Sequence, residues 1–148
     1  MQSLVLWSDD LSVGIQEIDE QHKILVDLLN ELHTAVCEHK GSSVCRSILD
    51  RLVEYTRVHF AVEESLMRIL GFPGHDDHKH EHELLTQQVF DLLHKLDSGK
   101  TAISFELLHF LKIWLTKHIQ EGDKQYARYF LERNVQRTWE KKRSWKFW

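Results

Sequence analysis

The sequence predicts an all-α protein, an antiparallel up-down-up-down four-helix bundle with an N-terminal arm and a C-terminal helical extension. Three observations lead there. Glycine and proline fall almost entirely between long periodic segments, in Gly41-Ser42-Ser43, Gly71-Phe72-Pro73-Gly74 and Asp97-Ser98-Gly99-Lys100, which is how helical bundles are punctuated. Within each segment, apolar residues recur at the three-, four- and seven-residue intervals that share one helix face. Strand-like patterning is nearly absent, with only Leu4-Val5-Leu6-Trp7 extended in character. Short connections between long helices make sequence neighbours antiparallel.

Residues 1–17 are mixed in character and contain Gly14, so they read as an arm packed over the bundle. The first helix covers about Ile18–His39, and its inward stripe, extended back into the arm, is Ile15, Ile18, His22, Val26 and Leu29. The second covers about Val44–Leu70, with Ile48, Leu52, Tyr55, His59, Glu63, Leu66 and Leu70 in line. The third, about Asp76–Leu96, aligns His78, His82, Leu85, Val89, Leu92 and Leu96. The fourth, about Ser104–Ile119, aligns Leu107, Leu111, Trp114 and His118. Beyond it Tyr126–Leu131 is amphipathic, and Gln136–Trp148 is basic and aromatic. The expected division is a bundle domain over 1–135 and a tail over 136–148. Neither an internal repeat nor a low-complexity stretch interrupts this plan.

A chain of 148 residues suffices for one domain with a real core. A net charge of −4, with basic residues concentrated only in the tail, argues against nucleic acid as a partner. No apolar run reaches the roughly 18 residues of a spanning helix. The first residues lack a basic region followed by a long apolar stretch, so a cytoplasmic location is expected. Cys37 and Cys45 form no CxxC pair and are expected to be reduced thiols. The oligomeric state is left open.

Histidine is the unusual feature, with eleven in the chain. His22, His59, His78, His82 and His118 each fall on an inward stripe, and every helix supplies at least one. His39, His75, His80, His94 and His109 lie off the stripes, and His33 sits near one. A single histidine on an apolar face is ordinarily a hydrogen-bonded core residue. Five imidazoles and Glu63 converging from four helices are different, because burying them with nothing to bind is costly. Imidazole with carboxylate suits iron, zinc or copper, and facing helices of a bundle are a place to build such a site. His59/Glu63 and His78/His82 are spaced i,i+4, so each pair can reach one centre. Asp123 lies five residues past His118, about 140° around an ideal helix. Gly122 is a place for the helix to end or bend. Irregular backbone at Glu121–Asp123 is therefore expected to turn the carboxylate back; taken alone, Asp123 would read as a solvated helix end.

This pattern resembles the hemerythrin family, bacterial members in particular, over roughly residues 7–131. Trp7, Val13-Gly14-Ile15 and Ile18-Asp19-Glu20-Gln21-His22 are similar to its N-terminal signature. His59-Phe60-Ala61-Val62-Glu63-Glu64 resembles its H-F-x-x-E-E element, and His78-x-x-x-His82 and His118-Ile119-x-x-x-Asp123 complete the set. The resemblance implies two iron ions bridged by an oxo or hydroxo group and by the carboxylates of Glu63 and Asp123. One iron would take His78, His82 and His118 and be six-coordinate. The other would take His22 and His59, leaving a position open for reversible dioxygen binding. Leu25, Phe60, Trp114, Leu115, Ile119 and Tyr126 would line the oxygen pocket and restrain autoxidation.

The implied function is oxygen carriage, storage or delivery, by a binding protein rather than an enzyme. The alternatives are oxygen or redox sensing through a partner, and di-iron redox catalysis on peroxide or nitric oxide. A ferritin-like oxidase is disfavoured, since the only Glu-x-x-His is Glu106/His109, and His109 is about 180° from His118. A zinc protease would need Glu directly after the first histidine of the third helix's pair, where Lys79 stands. The tail holds Arg137, Lys141, Lys142, Arg143 and Lys146 against Glu140, with Trp139, Trp145, Phe147 and Trp148. Such a stretch suits a membrane surface or a docking partner. The plainer expectation is that its aromatics pack on the bundle or mediate self-association.

Overall fold

A computed structural model describes residues 4–99 and 102–132. The chain forms helix α1 over Gln16–Cys37, α2 over Ser42–Ile69, α3 over His75–Asp97 and α4 over Phe105–Lys117. A π-helical segment, His118–Asp123, follows directly, and α5 continues over Lys124–Glu132. The four long helices make the expected antiparallel bundle, α1 packing on both α2 and α4 and α2 on α3. No helix among the described residues is long and apolar enough to cross a membrane. The tail, 136–148, lies outside the described residues.

Helix boundaries follow local chemistry. Gly41 stands in extended conformation before α2, so Ser42 and Ser43, expected in the break, form its first turn. Ser104 caps α4 by accepting the Leu107 N–H on its hydroxyl, at 3.3 Å, which satisfies an otherwise orphaned donor. Acidic Asp76 and Asp77 open α3, where the helix dipole favours negative charge.

The core is built from the anticipated stripes: Ile18, Val26, Leu29, Ile48, Leu52, Leu66, Val89, Leu107 and Leu111 are all buried. Apolar burial is uneven. Helix α3 buries only His78, His82 and Val89, its leucines at 85, 92 and 96 being half-covered.

The arm is tied down by side chains rather than by strand pairing. Asn30 accepts the Val5 N–H at 2.9 Å and donates to the Val5 carbonyl at 2.7 Å. Asp19 accepts the Val13 N–H at 2.8 Å and the Ser12 hydroxyl at 2.5 Å. Between them runs a 3-10 turn, Asp9–Leu11, that buries Leu11. Gly14 adopts φ +82°, and a Cβ there would lie 2.9 Å from Leu131 Cδ1 of α5, so both backbone and space call for glycine.

Candidate metal centre

The i,i+4 spacing of α2 stacks Glu63 one turn above His59, and that of α3 does the same for His78 and His82. His22 enters from α1 and His118 from the first residue of the π segment. All five rings, Glu63 and Asp123 are buried, none more than 4% exposed. His39, His80, His94 and His109 are exposed, and His33 and His75 are partly so. Glu106 is exposed with His109, so the Glu-x-x-His pair faces away from the site.

Asp123 arrives by a different device from the one expected. The helix neither ends nor breaks at Gly122; it widens to i→i+5 bonding over His118–Asp123 and then resumes as α5. With that bonding, a residue five positions on returns close to the face of its starting residue. Asp123 Oδ1 thereby lies 3.1 Å from Nε2 of both His118 and His78, and Oδ2 lies 2.8 Å from His22 Nε2. Gly122 lies within this segment, where a Cβ would meet His118 Nδ1 and Glu81 Oε1 at an ordinary contact distance of 3.4 Å.

Across the site, Glu63 Oε1 is 3.1 Å from His59 Nε2 and 3.4 Å from His82 Nε2, and His22 and His59 approach Nε2 to Nε2 at 3.0 Å. The ligand atoms sort into two groups, each spanning under 4.8 Å: Glu63, His78, His82, His118 and Asp123, and His22, His59, Glu63 and Asp123. The two carboxylates belong to both. Nε2 of His82 and His118, Oε1 of Glu63 and Oδ2 of Asp123 are buried without a hydrogen bond of good geometry. These atoms aim at common points rather than at one another. Buried polar atoms left so would be costly, and cations at those points satisfy them. The residues fit a two-metal centre.

The electrostatics agree. Burial would push Glu63 up, but His59, His118 and His82 overcome it and hold the carboxyl well below its usual range. Burial and Glu63 likewise oppose ionisation of Asp123, yet His118 and His22 keep it low. For His118, burial works against the charged ring and the Asp123 and Glu63 carboxylates prevail, raising it to about 10. The buried polar nest is thus anionic carboxylate matched to cation.

Two residues outside the expected set orient imidazoles. His59 Nδ1–H donates to Gln21 Oε1 at 2.6 Å, and His82 Nδ1–H donates to Glu64 Oε2 at 2.9 Å. Each bond leaves the Nε2 lone pair directed into the site. Gln21 and Glu64 stand beside ligands in the motifs quoted above, and that adjacency was the available signal.

Leu25, Phe60, Trp114, Leu115 and Ile119, the expected apolar lining, are all buried. Phe60 stacks on His82, ring centroids 3.9 Å apart, and packs edge-on to His118 at 5.1 Å. Tyr126 is fully buried too, but its hydroxyl donates to Glu63 Oε2 and its ring stands against His78 at 5.4 Å. Burial, with Glu63 and Asp123 nearby, pushes its phenol well up, so it stays a neutral donor.

Residues 13–130 match the Hemerythrin HHE cation binding domain family. The chain is 38% identical over 125 residues to a bacteriohemerythrin of Stenotrophomonas maltophilia, covering 84% of this chain and 80% of that one. It is 30% identical over 126 residues to a bacteriohemerythrin of Methylococcus capsulatus, covering 84% and 95%. A crystal structure of wild-type hemerythrin superposes with a TM-score of 0.79 at 30% identity, covering 85% of this chain and 97% of the other.

Proposed function

The chain belongs to the hemerythrin family, and on that footing we propose that its centre holds two iron ions and binds dioxygen reversibly, for oxygen carriage, storage or delivery. The observation that carries this reading is the asymmetry of the ligand set. Two carboxylates are shared, while one group has three imidazoles and the other two. In this reading His78, His82 and His118 would hold one ion and His22 and His59 the other, with the carboxylates of Glu63 and Asp123 available to both. When bound, the iron pair would supply the two electrons that reversible dioxygen binding requires.

The chain's own residues do the rest. Gln21 and Glu64 fix the rings of His59 and His82. Tyr126 holds one oxygen of Glu63 by its hydroxyl, which keeps that carboxylate oriented while the charge of the site changes. Leu25, Phe60, Trp114, Leu115 and Ile119 are buried apolar groups that supply no acid, and Phe60 packs directly on His82 and His118; such a lining would exclude water and restrain irreversible oxidation. This reading also assigns 1–135 to the iron domain and 136–148 to a separate tail, the family match ending at residue 130, and it places the chain in the cytoplasm with dioxygen as its ligand.

The test is an optical spectrum of the iron-loaded chain, reduced under argon and then given air. A visible ligand-to-iron charge-transfer band that appears with air and vanishes on return to argon is expected. A chain carrying two irons that shows no such reversible band would refute oxygen binding.

A further inference from the structure

Among the described residues, the outer seam between α1 and α2 is apolar and uncovered. Two contacts fix how these antiparallel helices are offset: Gln21 meets His59 at 2.6 Å, and Glu31 meets Arg51 at 2.6 Å. They put Ile24 level with Val58. Ile24 shares a face of α1 with Gln21 and Glu31, and Val58, Val62 and Ile69 share a face of α2 with Arg51, because their spacings are near whole helical turns. All four apolar residues are exposed, from 39% at Val62 to 79% at Ile69. Leu28 and Tyr55, on the same two faces, are half-buried. A continuous run of large apolar side chains left in water marks a surface that something covers.

The α1 rim of the seam is acidic. Glu20 and Asp27, both exposed, flank Ile24 one turn below and one turn above. Lys23, the cation between them in sequence, lies over the Trp7 ring at 5.2 Å, and Arg51 is taken by Glu31. On α2, exposed Glu54 stands one turn from Val58. The foot of the seam is where α5 stops. Leu131 stands against Gly14, just ahead of α1, and the Tyr129 hydroxyl donates to the Gly71 carbonyl at 3.3 Å, just beyond α2. Chain leaving Glu132 thus starts between the first turn of α1 and the last of α2, beside Ile69. Gln136–Trp148 begins four residues further on. From Val58 to Ile69 the seam is about 16 Å long, and thirteen residues reach about 20 Å even when coiled as a helix. Five basic residues against Glu140 suit the acidic rim, and Trp139, Trp145, Phe147 and Trp148 supply apolar area for the seam.

We propose that residues 136–148 dock along the α1–α2 seam of their own bundle, with aromatic side chains on Ile24, Val58, Val62 and Ile69 and basic ones toward Glu20, Asp27 and Glu54. Gln21 lies on the same face of α1 as Ile24, so the docked tail covers the outer side of the hydrogen bond between Gln21 and His59. The proposal stands on surface, charge and reach, and holds whether or not the centre binds dioxygen.

A zero-length carbodiimide joins a lysine amine to a carboxylate only where the two touch, and peptide mass mapping of the full, metal-loaded chain identifies the partners. Lys141, Lys142 and Lys146 should link to Glu20, Asp27 and Glu54 within the monomer band, and not to the exposed carboxylates of Glu83 on α3 and Glu106 on α4. The double variant Val58→Lys, Val62→Lys changes only exposed side chains and sets like charge against the tail, so these links should fall about tenfold, with helix content and bound metal unchanged. Links found only in covalent dimers overturn the proposal in favour of a tail seated on a second copy. Links spread evenly over Glu83 and Glu106, or undiminished in the double variant, overturn it outright. Tail lysines that link to nothing, in a chain that co-sediments with vesicles of anionic lipid, overturn it in favour of a membrane surface.

Discussion

At the scale of single residues, the side chains that hold the ligands are as informative as the ligands. Gln21 and Glu64 touch the outer nitrogens of His59 and His82 and fix which nitrogen faces the site. Removing such a partner typically lowers metal affinity by about 10–100-fold. Gln21→Ala and Glu64→Ala should each weaken metal retention by that order in a chelator competition, with helix content by circular dichroism unchanged. Variants that retain metal as well as the unaltered chain would show these bonds to be incidental. A second consequence is a proton. His118 is held at about 10 by the neighbouring carboxylates, so at pH 8 it carries a proton that a metal ion must displace. Glu63 and Asp123 are already ionised there and release none. Metal uptake at pH 8 in weak buffer should therefore liberate the His118 proton, and affinity should fall as pH falls. An indicator dye that registers no release would contradict this assignment.

Among the elements, α3 and the π segment depend most on the site. Helix α2 buries apolar side chains along its length, from Cys45 and Ile48 to Met67, whereas α3 contributes Val89 and two histidines. Hydrophobic burial holds helices in proportion to the apolar area removed from water. With only Val89 buried and its leucines half-covered, α3 leaves a large share of its docking to His78 and His82. Stripping the metal should speed amide exchange in α3 by at least about tenfold, equivalent to ~1.4 kcal/mol of local stability, while α1 changes little. Hydrogen exchange followed by mass spectrometry, with and without chelator, measures this; uniform loosening of all helices would argue that α3 stands on packing alone. The π segment is the other specialised element. A regular helix cannot bring both His118 and Asp123 to one centre at a spacing of five, and the wider turn does so without interrupting the chain's path into α5.

For the molecule as a whole, the arm closes the bundle at the end where α1 begins and α5 finishes. Gly14 sits at that junction with φ +82° and Leu131 against its open side. Gly14→Ala imposes a side chain on left-handed backbone and crowds Leu131, so stability should fall by about 1–3 kcal/mol. Thermal unfolding would read this as a lower Tm with iron content per chain unchanged. An unshifted Tm would mean that the arm contributes little to holding the bundle.

Much of this was legible in the sequence. The breaks at Gly41, Gly71–Gly74 and Gly99 place four helices within about two residues of their observed limits, although the helical path continues past Ile119 through the π segment into α5. The stripes point His22, His59, Glu63, His78, His82 and His118 inward because periodicity alone fixes which face a residue shares with its neighbours. Periodicity carries no information on how two helices are rotated and offset against each other. That is why the contacts of Gln21 with His59 and of Glu64 with His82, and the bond from Tyr126 to Glu63, appear only in the tertiary structure. Asp123 falls between the two. Its carboxylate and the glycine before it marked a departure from the regular helix, but whether the chain would stop, kink or widen depended on the surrounding groups; the widening observed brings the carboxylate to His22, His78 and His118. The sequence by itself determined the helices and which side chains face inward; the tertiary structure decided how those faces meet, because a site shared between helices is set by their mutual packing.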